Sequence, residues 1–220
     1  MRIETIDVQG ILPAMIGMRN PLKSYDKRDS FLEPVDSDSR PGHFKFIIGP
    51  NDYQLAKNLW KAGTEHRKYL RMIQVWADIW APRYFWSGWD TYKIGTTANS
   101  ESTMHKILEE NFNEEDFEWP RFIGADWDIE AAFRDYLDLL KTIKIRYEQD
   151  NQNKHYYLML LKAMLPESFI QKRTVNLNYE TLATMYHQRK NHRLPQWSET
   201  FCNWVKTLPY SEFITGEFDK

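Results

Sequence analysis

The chain is short of the features that most often declare a function. Only one cysteine, Cys202, occurs in 220 residues, so no disulfide can form within the chain and a cysteine-only zinc site is excluded. That usage is the habit of a reducing compartment, and a cytoplasmic location is the expectation. The glycines are few and scattered; neither the P-loop nor the dinucleotide fingerprint occurs, so no glycine-rich turn brings backbone N–H groups onto a phosphate. No excess of one charge exists either. Twenty-nine basic residues stand against thirty-one acidic ones, for a net charge of −2, and a dedicated nucleic-acid binder is disfavoured. The opening MRIETIDVQG has no basic-then-apolar leader pattern, and no apolar run approaches a membrane span. A mass of 26.5 kDa is large enough to bury roughly 70% of the unfolded surface without a staple. One domain over 1–220 is the expected organisation. What the chain does have is aromatic mass, with nine Trp, twelve Tyr and twelve Phe, enough for an aromatic core.

The hydrophobic pattern predicts strands at Arg2–Val8 and His43–Ile48 and an extended segment at Arg173–Leu177. Between the first two, residues 20–42 are polar and broken by Pro21, Pro34 and Pro41, which reads as a mobile loop. Asn51 is a competent N-cap for a helix carrying Leu55, Ala56, Leu59 and Trp60. Tyr69, Met72, Ile73, Trp76 and Ile79 recur at three and four, predicting a second helix from Thr64 to about Ile79, ended by Pro82. An irregular aromatic stretch, Arg83–Asp90, follows. The polar tract Thr96–Ser100 is of the kind that opens a helix, with Ser100 or Ser102 as cap, and the acidic run 109–118 reads as a solvated face. Long amphipathic helices are expected over Ile129–Tyr147 and Tyr156–Met164, then over Tyr179–Arg193 and around Phe201–Leu208. The fold class is α+β and mostly helical.

Single-residue signals are weak. His187 and His192 lie five apart, on different helix faces, with no completing carboxylate, so no metal site is expected. Ser87-Gly88 lacks the nucleophile elbow, and Cys202 beside Phe201 and Trp204 reads as a small core residue. The cluster Arg189-Lys190-Asn191-His192-Arg193 suits a phosphate or an acidic partner, and equally suits the last turn of a helix, where the dipole favours cations.

An ordered set of residues in the last third of the chain resembles the flavin-dependent thymidylate synthases, or thymidylate synthase complementing proteins. The set is Leu165-Pro166 at a helix end, Thr174 in an extended segment, Asn178 opening a helix, Leu182 and Arg189 on it, and Gln196-Trp197 just after. The family's Arg-His-Arg signature falls at Ala81-Pro82-Arg83. With Arg83 on the second arginine, Thr91 falls on the later serine and Lys93 on the last arginine, while Trp86 and Gly88-Trp89 replace the first serine and the Asn-Glu pair. Glu180 stands where an arginine is usual.

The resemblance implies an α+β fold with a small antiparallel sheet and a homotetramer. It implies FAD-dependent methylation of dUMP or a related pyrimidine nucleotide, with methylenetetrahydrofolate and NADPH as co-substrates. By position it assigns Arg83, Asn178 and Trp86 to the flavin and Thr91, Lys93 and Arg189 to the nucleotide, with Arg189 as the charge-stabilising catalytic group. Tyr84, Phe85, Trp86 and Trp89 suit stacking on a flat ring system or, alternatively, a core or a subunit interface. The altered signature leaves two further readings open: a redox-inactive relative that keeps the fold and nucleotide binding, and a structural or assembly protein.

Overall fold

A computed structural model describes residues 1–34, 44–119 and 127–218. The elements in chain order are β1 (Arg2–Gln9), α1 (Ile11–Gly17), β2 (Phe31–Pro34), β3 (Phe44–Ile47), α2 (Pro50–Lys61), β4 (Gln74–Pro82), α3 (Arg83–Trp89), β5 (Thr96–Ser100), α4 (Thr103–Lys106), α5 (Trp127–Gln149), α6 (Lys154–Met164), β6 (Ile170–Asn178), α7 (Tyr179–Arg189), α8 (Cys202–Thr207) and α9 (Glu212–Thr215). The class is α+β and mostly helical, as expected. A four-stranded sheet has the order β1-β4-β6-β5, and β2 pairs antiparallel with β3, Phe31 opposite Ile47 and Pro34 opposite Phe44. Part of the loop expected at 20–42 thus forms β2, two short 3₁₀ turns precede it at Asn20–Leu22 and Tyr25–Lys27, and residues 35–42 lie outside the described residues.

The helix expected over 64–79 is instead a 3₁₀ turn, Lys68–Met72, followed by β4. Ile73, Val75, Ala77, Ile79 and Ala81 are all fully buried while Gln74, Trp76, Asp78 and Trp80 are half-exposed, the period of two that a strand imposes. Apolar residues on both faces had satisfied the helical spacing as well. The aromatic stretch from Arg83 is a helix, α3. Thr96–Ser100 is a strand rather than a helix start, whereas Ser102 does cap α4, its side chain accepting from His105 N–H at 3.3 Å. The N-cap of α2 is Gly49 rather than Asn51; the Asp29 carboxylate accepts from Asn51 N–H at 2.8 Å and Asp52 N–H at 3.0 Å.

The described residues group into two units. The first comprises 1–2, 79–91 and 99–173. Its core gathers Ile107, Phe112, Phe117, Phe133, Leu137, Leu140, Ile143, Leu161, Leu165 and Phe169, with α5 packed on α6. Phe112 and Phe117, inside the acidic run, are buried there, so that run is a solvated face only in part. Each fully buried Phe or Leu contributes about 2–3 kcal/mol relative to exposure.

The second unit comprises 3–78, 92–98 and 174–220. Its core is built on α7, whose Leu182, Ala183, Met185 and Tyr186 are buried, and on Tyr69, Leu70, Phe201, Val205, Phe213 and Ile214. Three aromatic polar tips find carbonyl partners: Tyr69 donates to Ala56 C=O at 3.0 Å, Tyr179 to Pro209 C=O at 2.6 Å and Trp60 Nε1 to Phe213 C=O at 2.9 Å. Arg19 and Asp52, 3% and 0% exposed, pair at 2.5 Å, and Asp52 also accepts from the N–H groups of Asp29 and Ser30. No described helix is long and apolar enough to cross a membrane.

Candidate functional site

In the second unit β6 runs straight into α7 with no intervening loop. Asn178 is both the last strand residue and the helix N-cap, its Oδ1 accepting from Thr181 N–H at 2.9 Å. The segment 92–96 lies along α7. Thr181 Oγ1 donates to Ile94 C=O at 3.2 Å, and Gly95, at φ +73°, passes so close that a Cβ there would fall 2.6 Å from both Asn178 Nδ2 and Thr181 Oγ1. Only glycine fits that approach and that left-handed backbone.

At the other end of α7 this segment delivers Tyr92 to Arg189. Arg189 Nε donates to the Tyr92 hydroxyl at 2.8 Å, and that hydroxyl donates to Gln188 Oε1 at 2.8 Å. The guanidinium carbon lies 5.3 Å from the Tyr92 ring centre and 4.6 Å from that of Trp197. Trp197 sits in the π-helical turn Gln196–Phe201, which leads into α8; π turns are frequent at functional sites. Arg189 is half-buried, and among the described residues no carboxylate pairs with it, nor with Lys93, Lys190 or Arg193. His192, near Arg189, is held below the ordinary histidine range by burial and then by the arginine's charge. A cation fixed on two aromatic rings, with its terminal amino groups uncommitted, is suited to an anion or to a planar pair of acceptors.

Charge at Glu180 has a local partner. Arg67 Nε lies 2.9 Å from Glu180 Oε2, and the Arg67 guanidinium packs over Trp60 at 5.2 Å.

In the first unit Arg83 opens α3 and is committed within the chain, donating to Leu165 C=O at 2.8 Å and pairing with Glu167 at 3.4 Å. Trp86 is 1% exposed. Its Nε1 donates to Gln171 C=O at 3.0 Å, Phe85 and Trp89 pack edge-on against it, and Arg173 lies over its ring at 4.3 Å. Phe85, Trp86 and Trp89 are therefore core side chains, and an open stacking platform is not what Trp86 offers. Thr91 is exposed and donates to Gly88 C=O at 2.8 Å.

Thus Arg83, Trp86 and Thr91 belong to the first unit and Lys93, Asn178 and Arg189 to the second. Within the second, Arg189 and Asn178 mark the two ends of α7, and Lys93 is an exposed residue of the segment lying along it.

Sequence reasoning missed Tyr92, whose position one residue before Lys93 gives no hint that it reaches α7. It also missed Lys162, which donates to Thr103 Oγ1. Burial, and then the charge of Arg83, lower the Lys162 pKa. No pattern in the sequence separates that lysine from its neighbours.

No protein-family model matches the chain, and no curated protein matches it. Solved structures do. The flavin-dependent thymidylate synthase ThyX from Helicobacter pylori, complexed with FAD and dUMP, superposes with a TM-score of 0.67 at 16% identity, covering 97% of this chain and 96% of that one. A second structure of Helicobacter pylori ThyX with FAD and dUMP gives 0.68 at 16% identity, with 97% and 95% covered. The chain shares their fold.

Proposed function

We propose that this chain is a flavin-dependent thymidylate synthase-like protein that binds dUMP or a related pyrimidine nucleotide through Arg189. The observation that carries the reading is the half-buried Arg189 fork, ordered by Tyr92 and Trp197 and unpaired with any described carboxylate, in a chain whose fold is that of proteins solved with dUMP. A bidentate guanidinium suits either a phosphate or the carbonyl edge of a pyrimidine ring.

The residues assigned to a flavin fit it poorly. Arg83 is spent on Leu165 and Glu167, Trp86 is enclosed, and the Asn178 oxygen caps α7. Ala81 and Pro82 further replace the first two residues of the family signature. The geometry therefore favours nucleotide binding without flavin chemistry. A second reading keeps FAD-dependent methylation of dUMP, with methylenetetrahydrofolate and NADPH as co-substrates and Thr91 and Lys93 on the nucleotide. It is favoured by the presence of FAD beside dUMP in both solved neighbours.

Calorimetry with dUMP tests the first reading. Saturable binding by the wild-type chain and its loss in Arg189→Ala, with the fold intact, supports it; equal affinity in the two proteins overturns it. The visible spectrum after incubation with FAD and dUMP and gel filtration separates the readings, because retained flavin establishes the second. Homotetrameric assembly belongs to the same proposal, and sedimentation velocity decides it.

A further inference from the structure

We infer that Tyr92 is the positioning residue for Arg189, a role that rests on the nucleotide reading above. An arginine at the end of a helix ordinarily sweeps a wide volume, because its stem has several free torsions. Here the hydroxyl of Tyr92 takes the Nε–H at 2.8 Å and its ring lies against the guanidinium, so the plane of the fork is fixed from one side. The hydroxyl is itself oriented: by donating to Gln188 Oε1 at 2.8 Å it turns a lone pair toward Arg189. Gln188 and Arg189 are adjacent on α7, so the three side chains form a closed local unit. Tyr92 in turn is held by its own backbone neighbours, through the Ile94 carbonyl and the close pass of Gly95 over Asn178 and Thr181.

The consequence is a division of labour among the donors of Arg189. Nε is spent on Tyr92, which leaves the two terminal amino groups as a parallel pair of donors facing a ligand with two acceptors. Removing the Tyr92 hydroxyl keeps the ring and frees the fork to rotate. A ligand must then order it, and affinity falls.

The test compares wild type, Tyr92→Phe and Gln188→Leu in the full chain. Nitrogen-15 NMR of the arginine side chains, with the Arg189 signal assigned by its absence in Arg189→Lys, reads the Nε–H directly. Calorimetry reads dUMP affinity, and thermal unfolding confirms the fold. The expected result is a solvent-protected Arg189 Nε–H in wild type that loses protection in Tyr92→Phe, with dUMP binding about tenfold weaker. Gln188→Leu, which leaves the hydroxyl without its acceptor, shifts both readouts in the same direction by less. Equal dUMP affinity in wild type and Tyr92→Phe, or an Nε–H still protected in the variant, overturns the positioning role. A wild-type chain that takes up no dUMP overturns the nucleotide reading, and the role with it, a result distinct from equal affinity.

Discussion

Arg67 and Glu180 meet across 2.9 Å with side chains only 11% and 12% exposed. The negative charge at 180, which departs from the arginine of the family pattern, is therefore matched by a cation 113 residues earlier in the chain. It also lies in the first turn of α7, where the helix dipole favours it. Glu180→Arg sets two guanidinium groups together in a nearly closed space and is expected to destabilise by about 3 kcal/mol. Denaturant titration measures this, and Arg67→Glu in the same background should recover part of the loss. No recovery would mean that the pair is not coupled.

Acid stability should report Asp52. Burial pushes its carboxyl pKa up, but hydrogen bonds from Ser30 and Arg19 and from the N–H groups of Ser30 and Asp29 together outweigh that, leaving it below the ordinary 3.8. A carboxylate whose pKa is lower in the folded state stabilises fully above the unfolded value, and loses that contribution as pH falls through the folded one. Asp52→Asn is expected to cost about 3–5 kcal/mol near neutral pH, because it leaves Arg19 buried and unpaired. The gap between variant and wild type should narrow only in acid below pH 3.8. Urea titrations at stepped pH check this; a gap that does not change in acid would refute the assignment.

His192 gives an independent gauge of the Arg189 charge. Burial and then Arg189 lower the histidine pKa from 6.5, so protonation is penalised in the folded state. The penalty is absent above the ordinary pKa and grows as pH falls below it. Arg189→Ala should move the His192 titration upward, as followed by the ring proton shifts in NMR. An unmoved titration would place the guanidinium elsewhere.

Gly95→Ala tests whether the segment 92–96 must lie on α7. The added Cβ meets Asn178 and Thr181 at 2.6 Å, and the backbone there is at φ +73°. The expected cost is about 1–3 kcal/mol, together with loss of protection at the Arg189 Nε–H, since Tyr92 is displaced. A variant as stable as wild type would show that the close pass is not required.

Much of this was legible in the sequence, and the exceptions have physical causes. The stripes through Phe133, Leu137 and Leu140 and through Leu182, Met185 and Tyr186 fit only a helix, and those helices form. Residues 73–81 fit two periods at once, because Trp76 and Trp80 add apolar bulk to the partly exposed face of a strand. At Arg83–Trp89 the run of large aromatics hid a short helix whose buried positions, Phe85, Trp86 and Trp89, are spaced one and three apart. Arg189 was singled out by the order of its neighbours in the sequence. Its partner Tyr92 was not, because a contact between residues 97 apart leaves no local pattern.

The interleaving of the two units in the chain has a consequence for how the protein is made. Trp204 Nε1 donates to Thr5 Oγ1 at 2.9 Å, a contact spanning 199 residues, and both lie in the unit assembled from 3–78, 92–98 and 174–220. That unit cannot close while the ribosome is still adding its last segment, whereas residues 99–173 are already complete. Its long loops must be closed before the native contacts return any energy, so it should fold slowly. During synthesis Thr5 waits through 199 residues for Trp204.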